Sequence, residues 1–337
     1  MRRWAGRLAL VTAGLLAALA AVALWLGRSP VSDDRPHPFN QDRNAVWLEH
    51  RWLERSHDAT EMEALFAKLQ ERGIHYAFPH LIPFNAAGRL PIHSREQMRA
   101  LLAAARRVAP DLKVLPWVGG LRVGVRRTRA GTIDLADLGQ RQRIVAECRG
   151  LIDEGFDGIH LNIEPVDDGN VDFLSLLRAL RSAVGAERVL SLSTIRPGPI
   201  AVPFAPNFLW TPGYYARVAG IADQVVIMAY DTGLPTPALY QRYVGYVAAA
   251  VQGALVGSHA RARFLIGVPT YDETGIMHRG GVETTENALL GVVAGLRGKG
   301  GGGTFEGVAL YAEWTTDAAE WQAYERIWRG RTTRAAR

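Results

Sequence analysis

Asp157-Gly158-Ile159-His160-Leu161-Asn162-Ile163-Glu164-Pro165 alternates apolar and polar side chains along a β-rich run. Successive side chains of a strand point to opposite faces. Ile159, Leu161 and Ile163 therefore share one face, and His160, Asn162 and Glu164 share the other. The question set by this stretch is what surrounds a strand whose polar file ends in a carboxylate.

Outward from it, seven further short β-rich runs occur at residues 45–48, 74–78, 113–118, 189–194, 224–229, 264–268 and 307–311, with the strand itself at 158–163. Several are nearly continuous apolar runs, as expected of strands buried on both faces. Helical patterns separate them, at 60–72, 94–108, 135–154, 171–184, 214–221, 238–256, 283–296 and 317–328. In the first, Met62, Leu65, Phe66 and Leu69 fall at helical spacing. Ser94, three residues before Gln97, is placed to cap the second. Eight strand–helix units predict an α/β chain folded as a closed (β/α)8 TIM barrel over residues 44–328. An open doubly wound sheet is the alternative. No glycine-rich dinucleotide fingerprint follows the first strand, and no Walker loop is present. The glycine run at 298–303 precedes a strand rather than opening a helix.

In such a barrel the apolar face of the strand meets the helices and the polar face lines the interior. Reactive groups then project from the C-terminal strand ends. An unpaired buried polar group costs about 1–3 kcal/mol. Glu164, which ends the polar file, is therefore expected to do chemistry or hold a ligand.

The composition fits a globular chain: 337 residues, 48% hydrophobic and 21% charged. The net charge of +6 invites a nucleic-acid reading. Its placement argues against one. Residues 1–40 carry +3 and residues 329–337 carry +4, which leaves −1 on residues 41–328. The single cysteine, Cys148, excludes an internal disulfide framework and a multi-thiolate zinc site. Cys148 falls in a helical pattern with Ile144, Val145, Leu151 and Ile152 and reads as a packed thiol. His75, His93, His259 and His278 show no metal-ligand spacing, so no metal or cofactor is assigned.

Arg2, Arg3 and Arg7 form a basic flank (residues 1–7) ahead of a 19-residue apolar run at 8–26. At 1.5 Å per residue, that run nearly spans a hydrocarbon core about 30 Å thick. It is expected to be a transmembrane signal-anchor with the barrel outside the cytoplasm. A cleaved signal peptide, cut near Ala18-Leu19-Ala20 or Ala21-Val22-Ala23, is the rival and would give a secreted protein. Residues 27–43 read as a linker, and 329–337 as a basic disordered tail.

The fourth-strand segment resembles the signature Asp-Gly-x-Asp-x-Asp-x-Glu of glycoside hydrolase family 18, the chitinase-like hydrolases. Tyr76-Ala77-Phe78 with Gly88, Val114 through Gly120, Met228-Ala229-Tyr230-Asp231, Phe264 through Tyr271, and Gly307 through Tyr311 are similar to the family's other strands, in order. The resemblance implies a TIM-barrel glycosidase acting on β-linked N-acetylglucosamine glycans with retention. The substrate's own acetamido group would be the nucleophile. It further implies Glu164 as general acid, with Asn162 and Tyr230 holding the acetamido group. Asp231, Met228, Trp117, Tyr311 and Trp314 are implied as substrate-binding residues, and Asp157, His160 and Glu49 as supporting ones. Two inner acidic positions of the signature are His160 and Asn162 here. The Asn-x-Glu pair is similar to that of glycoside hydrolase family 85.

Each residue also has a plainer reading. Glu164 could pair with a barrel arginine, and Tyr230 with Asp231 could cap a loop. Tyr311, Trp314 and Trp117 could be core, and Glu49 a salt-bridge partner. His160 and Asp157 read better as structural than as catalytic. A catalytically silent glycan-binding barrel is the alternative of a different class. A glycosidase with a second protein carboxylate (Glu49, Asp231 or Glu313) is the other. Arg122, Arg126, Arg127 and Arg129 form a loop after the third strand, read as solvated or as a selector of anionic glycans.

Overall fold

Nine parallel strand segments curl into one sheet with helices on its outer side. The computed structural model describes residues 36–331, apart from 82, 93, 124–131, 199–208, 259 and 299–302. The segments are β1 (Asn44–Leu48), β2 (Ile74–Pro79), β3 (Lys113–Val114), β4 (Trp117–Leu121), β5 (Gly158–Glu164), β6 (Val189–Thr194), β7 (Gln224–Met228), β8 (Arg263–Pro269) and β9 (Phe305–Tyr311). Their neighbour order is β3-β2-β1-β9-β8-β7-β6-β5-β4.

The two ends of that order are halves of one stretch. The sequence predicts a single strand at 113–118, but Pro116 has no N–H to give the ladder, and the strand breaks at Leu115–Pro116. The stretch still pairs on both sides. Leu115 N–H donates to Ala77 O at 2.9 Å, Leu81 N–H to Trp117 O at 2.9 Å, and His160 N–H to Pro116 O at 3.0 Å. The curled sheet thereby closes into a TIM-barrel-like fold, its nine segments standing for eight barrel strands.

The long helices are α1 (Ala59–Glu71), α2 (Arg95–Val108), α3 (Leu138–Asp153), α4 (Val171–Val184), α5 (Pro212–Ala219), α6 (Pro237–Gly257) and α7 (Thr285–Arg297). Ser94 caps α2 by accepting from Gln97 N–H at 3.0 Å. The expected last helix is shorter than its pattern: Ala318–Ala323 is α-helical and Tyr324–Trp328 is a π turn. A one-turn helix at Arg51–Glu54, with no periodic signal of its own, follows β1.

Burial divides as the alternation of β5 requires. Ile159, Leu161 and Ile163 pack in the layer between sheet and helices. A second apolar cluster, including Trp47, Phe78, Leu115, Val226 and Leu265, fills the barrel interior. Cys148 is fully buried in the outer layer.

The chain enters the barrel across its base. His37 donates to Ile327 O at 2.9 Å and its ring lies 5.0 Å from that of Trp328. The Gln41 amide donates to Phe305 O at 3.0 Å. Buried Asn44 accepts from Trp328 Nε1–H at 2.8 Å and from Val308 N–H at 3.1 Å. The expected membrane segment at 8–26 lies outside the described residues. Among the described residues, no helix is long and apolar enough to cross a membrane.

Candidate active site

Glu164 ends β5 at the C-terminal mouth of the barrel. Its carbonyl accepts from Arg122 N–H at 2.8 Å, a continuation of the β4–β5 ladder. The Arg122 guanidinium donates to Pro165 O at 3.2 Å and to Asp167 at 2.6 Å, which fixes the turn after Glu164. Burial pushes the Glu164 carboxyl above its ordinary range. A hydrogen bond from the Asn162 amide pulls against that shift, and the Asp231 charge adds to it.

Asn162 sits one step below. Its Oδ1 is buried and has no hydrogen-bond partner. Gly119 lies opposite in the β4–β5 register. A Cβ on Gly119 would stand 1.7 Å from Asn162 O, so only glycine lets the strands meet at this height.

His160 lies lower still, fully buried. Its ring stacks on Phe78 with centroids 3.9 Å apart and an interplanar angle of 3°. Nδ1 meets Ser191 Oγ at 2.8 Å and Nε2 meets Ser193 Oγ at 2.9 Å. Trp47 Nε1–H donates to Nε2 at 3.2 Å. Burial brings the imidazole down to about 3, so it is neutral. It bonds neither Asn162 nor Asp157.

The end of β7 faces Glu164. Arg196 donates to Tyr230 O, and to Asp231 O at 2.9 Å. Asp231 has φ +55°, an uncommon backbone conformation outside glycine. Glu283 holds the next residues, accepting from Thr232 N–H at 3.1 Å and Gly233 N–H at 3.0 Å. The Asp231 carboxylate accepts from Tyr271 OH at 2.5 Å and lies 3.2 Å from His278 Nδ1. Tyr230 is buried, and burial drives its hydroxyl well above its ordinary value; the neighbouring Tyr311, Tyr271, Glu164 and Asp231 push the same way.

Donor atoms of Asp231, His278 and Glu283 lie within 4.8 Å of one another, the one group among the described residues with this metal-ligand geometry. Protein donors already occupy it. Backbone N–H groups take both Glu283 oxygens, Tyr271 OH takes Asp231, and His278 Nε2 bonds Tyr271 O at 3.1 Å.

Aromatic rings wall the mouth. Tyr230 and Tyr311 stack at 5.2 Å and 18°. Trp314 meets Tyr311 edge-on at 5.8 Å and is 40% exposed. Trp117 stacks on His80 at 4.0 Å and meets Tyr311 edge-on at 6.1 Å. Burial, with His50 nearby, brings His80 down to about 4. Met228 joins Glu164, Ser193 and Trp210 around a cavity of about 30 Å³.

The structure thus gathers Glu164, Asn162, Tyr230, Asp231, Met228, Trp117, Tyr311 and Trp314 at one mouth. Glu49 lies at the same end, paired with Arg51 at 2.9 Å. Asp157 lies at the opposite end of β5, accepting from Val114 N–H at 3.0 Å. Of the arginine loop, Arg122 is engaged as described, and Arg126, Arg127 and Arg129 lie outside the described residues. Trp47, Ser191, Ser193, Arg196, His278 and Glu283 carry no motif, and Tyr271 closes the seventh-strand segment, whose resemblance implies no site role for it. Only strand register and long-range packing bring them in.

The family model of glycosyl hydrolases family 18 matches residues 58–332. The fold is similar to the spore cortex-lytic enzyme SleL of Bacillus cereus, with a TM-score of 0.60 at 10% identity over 87% of this chain and 76% of that one. It is also similar to a chitinase of Chromobacterium violaceum, with a TM-score of 0.56 at 14% identity over 84% of this chain and 98% of that one. A Rhizomucor miehei chitinase gives 0.54 at 14% identity over 85% and 99%. No functionally curated protein matches the sequence. With its acid-bearing fourth strand, its Met-x-Tyr-Asp turn and a family match over most of its length, the chain is a glycoside hydrolase and belongs to glycosyl hydrolases family 18.

Proposed function

We propose that this hydrolase cleaves β-linked N-acetylglucosamine-containing glycans by substrate assistance, with Glu164 as general acid and then base. The observation that carries the reading is the buried, unpartnered Oδ1 of Asn162 beside the Glu164 carboxyl. A buried acceptor without a donor costs about 1–3 kcal/mol. The N–H of a substrate acetamido group supplies that donor. The Asn162 amide turns toward Glu164, so one side chain orients both the substrate and the acid.

The steps follow. Glu164, whose acid form burial favours, gives its proton to the glycosidic oxygen. The acetamido carbonyl oxygen attacks the anomeric carbon as that bond breaks, and the Tyr230 hydroxyl donates to the acetamido group. The Glu164 carboxylate then takes a proton from water, which opens the cyclic intermediate with retention. Tyr311 and Trp314 offer faces for the sugar ring. Names of similar folds, a chitinase and a cortex-lytic enzyme, agree with glycans of this class. The run at 8–26 supports a barrel held outside the cytoplasm by a membrane anchor, or secreted if that run is cleaved.

The test is turnover of β-linked N-acetylglucosaminides, assayed beside the same glycosides with a 2-hydroxyl. Wild type cleaves the acetamido substrates, and Glu164→Gln and Asn162→Ala lose at least about 100-fold in kcat. Equal rates for Glu164→Gln and wild type, or equal use of the 2-hydroxyl substrates, overturn the reading.

A further inference from the structure

A line of buried polar groups runs down the inside of the barrel from His160 to its base. β5, β6 and β7 set His160 opposite Ser191, and Ser191 opposite Gln224. Ser191 Oγ–H donates to Gln224 Oε1 at 2.8 Å, and Gln224 Nε2–H donates to Glu306 Oε2 at 3.0 Å. The Glu306 carboxylate also accepts from Tyr76 OH at 2.9 Å and Arg43 at 2.8 Å. His160, Ser191, Ser193, Gln224 and Glu306 are all buried.

The direction of every proton in this line is fixed by its ends. An indole N–H only donates, so Trp47 makes His160 Nε2 an acceptor. Nδ1 then carries the hydrogen and donates to Ser191. At the base Glu306 carries acceptors and its Arg43 partner carries donors, so the amide of Gln224 must turn its N–H groups toward the carboxylate. Ser193 Oγ also faces Nε2, at 2.9 Å, and donates to it, sharing the single lone pair of Nε2 with the indole N–H. Each group therefore points its hydrogen toward the base. At the top, Ser193 Oγ keeps only lone pairs for its other neighbours.

Those neighbours include the cavity of about 30 Å³ that Ser193 shares with Glu164 and Met228. That volume holds one water. We infer that a single water bridges Glu164 to Ser193 in this cavity, and that Ser193, oriented through His160, Ser191, Gln224 and Glu306, is a positioning residue that aims the water's second hydrogen at the Glu164 carboxylate. The water gives one hydrogen to Ser193 Oγ and the other to the Glu164 carboxylate. A donor aimed at a carboxylate stabilises its charged form. The other groups around Glu164 are Asn162 on its own strand, Asp231 and Tyr230 from the end of β7, and Tyr311 from β9. The Arg122 side chain is taken up by Asp167 and Pro165. The inference rests on Glu164 as the acid, and its test reads that carboxyl without substrate.

The experiment is a carboxyl carbon-13 NMR titration of Glu164 in the full chain, its signal assigned by its loss in Glu164→Gln, with a crystal structure of wild type. The structure is expected to show one ordered water within hydrogen-bond reach of Ser193 Oγ and the Glu164 carboxyl. Ser193→Ala is expected to raise the Glu164 midpoint by roughly one pH unit, and Ser193→Thr, which keeps the hydroxyl, to restore it. The basic limb of kcat should move with the midpoint while KM stays. A dry cavity, or a midpoint unmoved or lowered in Ser193→Ala, overturns the inference. Because the titration needs no turnover, a wild type inactive on acetamido glycans would count against the proposed function alone.

Discussion

Arg196 clasps the backbone of Asp231, donating to its carbonyl oxygen at 2.9 Å while the same guanidinium takes the carbonyl of Tyr230. A side chain from beyond β6 thus sets the turn that presents two proposed substrate ligands.

Replacing Arg196 by Gln leaves those carbonyls short of donors, and Asp231, at φ +55°, is free to relax. The expected cost is about 1–3 kcal/mol of stability by urea denaturation. KM should rise at least about tenfold, because the lost contacts position substrate. Unchanged KM in a folded variant would remove the turn from substrate binding.

Burial raises the Glu164 carboxyl above its ordinary value of 4.5. The folded state then binds its proton more tightly than the unfolded state. This contribution to stability is fully present below pH 4.5 and is lost as pH rises through the folded value. Glu164→Gln should therefore melt above wild type at pH 7 to 8. The gap should close as pH falls toward 4.5. A gap that is constant with pH would show that the carboxyl is not perturbed.

His160 behaves in the opposite sense. Burial brings it down to about 3 from an ordinary 6.5, so only the unfolded chain takes up its proton as pH falls through that window. Relative to His160→Gln, wild type should lose about 1.4 kcal/mol per pH unit between pH 6.5 and 3. Parallel stability curves for the two proteins would place a proton on the buried ring.

Cys148 is fully buried, and burial pushes its thiol far up. It should resist iodoacetamide in the native protein and react once guanidinium unfolds the chain. Labelling of the native chain at the unfolded rate would show that the outer layer opens readily.

Much of this was legible because β5 and β7 carry their chemistry locally. Alternation alone assigns Ile159, Leu161 and Ile163 to the helix side and His160, Asn162 and Glu164 to the interior. Met228-Ala229-Tyr230-Asp231 marks the second half of the mouth. The partners of these residues were not legible. Trp47 and His160 stand 113 positions apart, and Gln224 and Glu306 stand 82 apart. Such pairs depend on register around a closed sheet, which no local pattern encodes. Pro116 is the converse case: its effect on the third strand is local, yet the apolar run around it hid the break.

The path of residues 36–44 has a spatial consequence. His37, Gln41 and Asn44 fasten the chain to the base of the barrel, while Glu164 opens at the other end. Whatever grips the polypeptide ahead of Pro36 therefore holds it as a hand holds a cup, from beneath. If residues 8–26 anchor the chain as proposed, the cleft faces away from that point of attachment.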